Sequence, residues 1–239
     1  MIETRRFAPV LGALTLVACF FAPPAQTESL QATLAKLAPR ANPQVIDLAL
    51  KATDCAAGQG GGLADRLAVI DYSLPSTQPR LWVFDLVKRK LLFQELVAHG
   101  KNSGDNVATR FSNANDSHSS SLGLFRTTDT YAGKNGYSLR MDGLERGVND
   151  NAQERAIVIH GAAYVSAAEA RAQGRIGRSW GCPAVRLAVA HPLIDALKGG
   201  QMLFSYYPDK RWLSSSPYLK CSNQKMAQAE ASRQSHGDS

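Results

Sequence analysis

Gly177-Arg178-Ser179-Trp180-Gly181-Cys182-Pro183 is the stretch on which the reading of this 239-residue chain turns. A structural cysteine usually sits in an apolar run. Cys182 instead sits in a turn of Ser, Gly and Pro, with Arg178 before it and Arg186 after it. Flanking cations favour the thiolate, the reactive form. Gly181 lets backbone approach closely, and the amides of such a turn can face a developing oxyanion. Cys182 therefore reads as a nucleophile, with an inert structural thiol as the competing reading.

A cysteine nucleophile needs a base within hydrogen-bonding reach. Upstream, Ala156-Ile157-Val158-Ile159-His160 is a short apolar strand ending on a histidine, with Gly161 after it. A strand end holds a side chain rigidly beside loops. Taken alone, His160 would suit a packed core position; the cysteine downstream gives it a chemical role.

Working outward, Leu67–Tyr72, Arg80–Asp85 and Leu91–Ala98 form a meander of strands separated by turn residues. Residues 100–121, rich in Ser, Asn, Asp and Gly, form a loop long enough to be functional or mobile. Extended structure resumes at Ser121–Arg126. Ser166 and Glu169 form a capping box that opens a short helix to about Gln173. Val189–Leu197 forms a helix closed by Gly199-Gly200, and Gln201–Tyr207 a last strand. Near the start, residues 28–57 are helical, broken at Pro39 and Pro43, with Asn42 as a cap. A Gly-rich hinge follows at residues 58–62. The sum is a mainly β domain behind a helical segment.

His160-Gly161, then a spacer of about 20 residues, then Ser179-Trp180-Gly181-Cys182 resembles the L,D-transpeptidase (YkuD) catalytic domain, in its divergent type 2, murein L,D-transpeptidase branch. Val83–Leu86, His99–Asp105, Ser121–Phe125, Tyr137–Arg140 and Gly177–Val185 carry the likeness, which spans about residues 63–213. It implies a YkuD-like mixed β-sheet sandwich with short helices and an N-terminal helical segment.

The same resemblance implies roles. Cys182 would attack a peptidoglycan stem tetrapeptide beside the L-centre of diaminopimelate, releasing the terminal D-alanine and leaving a thioester. His160 would be the base, Ser179 would orient it, and the Gly181 and Cys182 amides would form the oxyanion hole. Gly161, Trp180, Arg178, Arg186, Tyr137 and His99 would contact substrate. An amine from a second stem would complete a 3→3 cross-link, another amine would exchange the terminal D-amino acid, and water would give an L,D-carboxypeptidase. No cofactor or metal is implied. Two departures stand out. Trp180 replaces the histidine usual in the main family, and Ala184 stands where that family has arginine, with Arg186 two residues later.

The ends of the chain speak to location. Arg5 and Arg6 precede an uncharged, mostly apolar run from Phe7 to Phe21, then Pro23 and Pro24. That is the order of a secretory signal over residues 1–25, and it is shorter than the about 20 residues a membrane span needs. Leu16-Val17-Ala18-Cys19 also reads as a lipobox, which would lipidate Cys19 and anchor the protein to the outer membrane. Both readings place the mature chain in the periplasm or cell envelope. Residues 26–62 form the helical segment and hinge, residues 63–213 the catalytic domain, and residues 214–239 a polar, disordered tail. The formal charge of +7 suits anionic cell wall or lipid headgroups. Nucleic acid is not expected as a partner of an exported chain. Cys55, Cys182 and Cys221 form an odd set outside the signal. Pairing of Cys55 with Cys221 would leave Cys182 free; other pairings stay open.

Two other classes compete. A zinc peptidase using His99, His118 and His160 lacks any tight ligand motif. A non-catalytic wall-binding module would leave Cys182 inert. The sequence does not address the oligomeric state.

Overall fold

The computed structural model of the protein describes residues 1–2 and 28–221. The signal or lipobox reading, Cys19 and residues 222–239 of the expected tail lie outside the described residues.

Side-chain caps set the helix starts, each satisfying an amide the helix leaves unpaired. Ser29 Oγ accepts the Ala32 amide and opens α1 (Leu30–Leu37). Asn42 Oδ1 accepts the Gln44 amide and, with Pro43 in the first turn, opens α2 (Pro43–Ala56). A π-helical turn over Ala57–Gly61 leads to the strands. These are β1 (Arg66–Asp71), β2 (Leu81–Asp85), β3 (Lys90–Glu95), β4 (Gly123–Gly133), β5 (Gly136–Gly143), β6 (Val158–Gly161), β7 (Ala184–Val185) and β8 (Met202–Tyr206). Helix α3 (Ala167–Gln173) joins β6 to β7, α4 (Leu187–Leu197) joins β7 to β8, and α5 (Lys210–Ser215) follows. Ser166 Oγ caps α3 through the Glu169 amide, at the predicted position.

The expected sandwich takes the form of one mixed sheet in the order β3-β2-β1-β8-β4-β5-β6-β7. Its two edges nearly meet. Beyond β3, the Ala98 amide donates to the Ala184 carbonyl of β7 at 2.8 Å, and Gly100 bridges Ser179. The curl creates an inside and an outside, and β1 is apolar towards both. Ala68 and Ile70 join the inner core with β5, β6 and α4. Leu67 and Val69 join a second core with α1, α2, Trp82 and Phe204. A strand covered on both faces reads as a nearly unbroken apolar run.

Two differences from expectation have physical causes. The stretch expected as Ser121–Arg126 belongs to a far longer hairpin, β4–β5, closed by Lys134-Asn135 with Gly136 at φ +73°. Its outer half carries polar residues such as Thr128 and Asp129, so the apolar alternation that marks a strand is missing there. The polar tail expected from residue 214 instead continues as ordered chain to residue 221. Ser216 and Leu219 are buried, and a Cys55–Cys221 disulfide ties this segment to α2.

Candidate active site

The cysteine turn is built by its own serine. Ser179 Oγ accepts the Gly181 amide at 3.1 Å and donates to the Cys182 carbonyl at 2.7 Å. The Ser179 amide donates to the His99 carbonyl, and its carbonyl accepts the Lys101 amide, which fastens the turn to the segment after β3. Gly181 has φ +121°, a region that favours glycine. A Cβ there would meet Ser119 O at 2.7 Å and Ile157 Cδ1 at 2.8 Å. Ser179 thus braces the turn, and its hydrogen bonds run to Gly181, Cys182, His99 and Lys101 rather than to the His160 ring it was expected to orient. The Gly181 amide, expected in an oxyanion hole, is already taken by Ser179.

Cys182 is the free cysteine among the described residues and is buried. The Val158 amide donates to its Sγ at 3.4 Å, and the thiol donates to Ala156 O at 3.6 Å. Ala156 has φ +52°, uncommon for alanine, and turns its carbonyl to the sulfur. β6 and β7 run parallel with His160 beside Ala184. Cys182 lies two residues before β7, and the Val158 amide that donates to its sulfur belongs to the same strand as His160, two residues earlier.

No hydrogen bond joins the imidazole to the thiol among the described residues. His160 Nδ1 lies 3.0 Å from Gly161 O. A carbonyl only accepts, so Nδ1 carries the proton and Nε2 the lone pair. Gly161, expected to contact substrate, therefore fixes the His160 ring through its carbonyl; its Cα packs against α4, where a Cβ would lie 2.8 Å from Ala190 Cβ. Burial pushes the His160 pKa down, partly opposed by the Gly161 carbonyl. Burial pushes the Cys182 thiol up, opposed by the Val158 amide and by Arg155. The resting pair is a neutral thiol and a neutral imidazole.

The structure moves the other expected contacts away from the sulfur. Arg186 makes a two-pronged ion pair with Glu95, both bonds 2.7 Å. Arg178 holds Asp105 and the Gly104 carbonyl. Neither is the cation that opposes the rise in thiol pKa. Tyr137 donates to Asp195 and stacks on His191, tying β5 to α4 rather than lining the cleft. His99 is fully buried beside Arg80. Trp180 alone is well exposed, at 68 %, in a wall beside the site. It stacks on His118 at 4.6 Å, with Lys101 Nζ 5.3 Å from its ring. His118 is thus part of that wall.

Two pockets meet at Ala156. One, of about 260 Å³, is lined by Trp180, His118, Asp116, Glu154 and Arg155. The other, of about 160 Å³ and more apolar, is lined by Tyr131, Arg140, Met141 and Val158. Arg155 carries no sequence signal, because it lies in a polar stretch with no motif; Ala156, expected to start the strand that ends on His160, instead lies before β6 with φ +52°. No group of three or more His, Cys, Asp or Glu among the described residues is placed to hold a metal.

The histidine near the end of β6 and the cysteine turn before β7 thus sit on neighbouring segments of the sheet. The family model for the L,D-transpeptidase catalytic domain matches residues 37–206. The chain belongs to that family, whose enzymes act on peptidoglycan peptides. No curated protein matches the chain. Among solved structures, an L,D-transpeptidase from Mycobacterium smegmatis aligns with TM-score 0.38 and 14% identity over 61% of this chain and 60% of its own. Bd1075 of Bdellovibrio bacteriovorus gives 0.38 and 15% over 72% and 58%. An L,D-transpeptidase from Stackebrandtia nassauensis gives 0.36 and 14% over 76% and 90%. The chain thus spans about three fifths of the first two. Likeness this low supports no functional inference.

Proposed function

We propose that the protein is an exported peptidoglycan L,D-transpeptidase that works through a Cys182 thioester. The observation that carries this reading is a free thiol held by an amide of β6, the strand that also carries His160, whose imidazole has its lone pair on Nε2. Rotation of the Cys182 side chain away from Ala156 O, or one bridging water, brings the thiol proton to Nε2; such bonds commonly tighten only when substrate binds. The sulfur attacks the acyl carbon next to the L-centre of diaminopimelate. His160 takes the thiol proton and passes it to the departing D-alanine amine. An amine of a second stem then attacks the thioester, forming the new amide and returning sulfur and proton to the enzyme.

The two pockets on either side of Ala156 favour a second peptide over water alone. The one holding Asp116 and Glu154 suits the incoming amine, and the apolar one suits the donor stem. Export is supported by Arg5, Arg6 and the apolar run after them. The Cys55–Cys221 disulfide suits an oxidising compartment. Lipidation at Cys19 would add a membrane anchor.

Intact-mass analysis after incubation with a carbapenem tests the nucleophile. The expected result is a single adduct that maps to Cys182 and is absent from Cys182→Ala. Incubation with disaccharide tetrapeptides should give cross-linked dimers. Tripeptide alone would assign the carboxypeptidase reaction. Product formation by Cys182→Ala would overturn the cysteine mechanism.

A further inference from the structure

Arg178 and Arg186, the cations adjacent to Cys182 in sequence, are held by carboxylates elsewhere. Arg155, which lies in no motif, takes their place. Its Nη1 donates to Ser112 O at 2.8 Å and Ser121 Oγ at 2.6 Å. Its Nη2 donates to Ser117 Oγ at 3.1 Å and Ser119 O at 2.6 Å. All four acceptors are neutral, and all four lie on the loop between β3 and β4. That loop presses on the cysteine turn: Ser120 Oγ donates to Gly181 O at 3.3 Å. A Cβ at Gly181 would lie 3.4 Å from Arg155 Nη2. The guanidinium therefore sits at the joint of three pieces: the loop, the cysteine turn, and the chain entering β6.

We infer that Arg155 is a positioning residue for Cys182, clamping the 112–121 loop against the cysteine turn and directing an unpaired positive charge at the sulfur. Four neutral acceptors fix the fork without cancelling its charge, because no carboxylate pairs with it among the described residues. A half-buried cation screened little by solvent lowers the cost of forming a thiolate. Few other groups face the sulfur. Tyr72 at the end of β1 and Tyr164 after β6 feel its charge. His160 lies two residues beyond Val158, whose amide donates to the sulfur, and Asp116, His118 and Glu154 line the pocket beyond. Arg155 is the cation among those that feel it.

This inference rests on Cys182 as the nucleophile, yet its test does not need peptidoglycan turnover. The rate of iodoacetamide alkylation, with the label mapped to Cys182 by peptide mass, is followed against pH in the full chain. In Arg155→Gln the midpoint of the profile should move to higher pH, and the rate at pH 7 should fall about threefold or more. Arg155→Lys keeps the charge but not the fork. Its midpoint should move up by less, and its 112–121 loop should be cut faster by protease. A merely structural arginine would alter loop cleavage and leave the midpoint in place. An unchanged midpoint in either variant that folds, judged by its thermal melt, overturns the inference. If Arg155→Gln does not fold, Arg155→Lys decides it alone.

Discussion

At the scale of single residues, burial acts in opposite directions on the two titrating groups of the proposed mechanism. His160 is pushed below the ordinary histidine value and Cys182 above the ordinary thiol value. A preformed thiolate–imidazolium pair would need the histidine protonated and the thiol ionised at one pH, and these shifts keep those conditions apart. The productive resting form is neutral on both groups. It is lost on the acid side when His160 gains a proton, and on the basic side when Cys182 loses one. The pH profile of kcat/KM should therefore rise on an acid limb below about 6.5, the ordinary histidine value. It should stay flat through neutrality and fall only above the ordinary thiol range. A narrow bell centred near neutrality would contradict the neutral pair.

At the scale of elements, the seam where the sheet nearly closes has its own polar lock. Arg80 is fully buried. It donates twice to Val97 O, once to Leu74 O, and from Nη2 to His99 Nδ1 at 2.7 Å. An arginine only donates, so Nδ1 accepts and His99 carries its proton on Nε2. Burial first, and then the Arg80 charge, lower the His99 pKa to about 4. The sign follows from linkage: a folded-state pKa below the unfolded value means that the unfolded chain binds the proton more readily. The stability His99 contributes is whole above about 6.5 and is lost as pH falls towards about 4. Urea midpoints measured at pH 7 and pH 4.5 should diverge in the wild type. They should diverge less in His99→Asn, which keeps an acceptor but does not titrate. Equal acid sensitivity in the two proteins would show that the lock plays no part in it.

At the scale of the whole molecule, α1 and α2 are not an appendage to the sheet. They cover its outer face in a core that includes Leu67, Val69, Trp82 and Phe204. The Cys55–Cys221 disulfide, spanning 166 residues, pins the end of the described chain to the same layer. Cross-linking a loop that long restricts the unfolded chain, and losing such a bond costs about 2–5 kcal/mol. Reduction should lower the thermal midpoint and expose residues 216–221 to protease. The site lies on the far edge of the sheet, so alkylation of Cys182 should proceed at a similar rate in the reduced, still-folded protein. A melt unchanged by reduction would mean that packing of Leu219 and Trp212 alone holds the segment.

Local chemistry in the sequence determined much of this protein. Helix caps at Asn42 and Ser166, the apolar run of β1, the strand ending on His160, and the turn around Cys182 are all set by neighbours a few residues away. So was the family, through His160-Gly161 and Ser179–Cys182. Only the tertiary structure decided which distant groups serve the sulfur. Spacing said nothing about Arg155 or the Ala156 carbonyl, because their roles come from a loop folded back across the cysteine turn. It was equally silent on the partners of Arg178, Arg186, His99 and Tyr137. A charge or a ring acts on what it touches in space, and Asp105, Glu95, Arg80 and Asp195 reached those four side chains first.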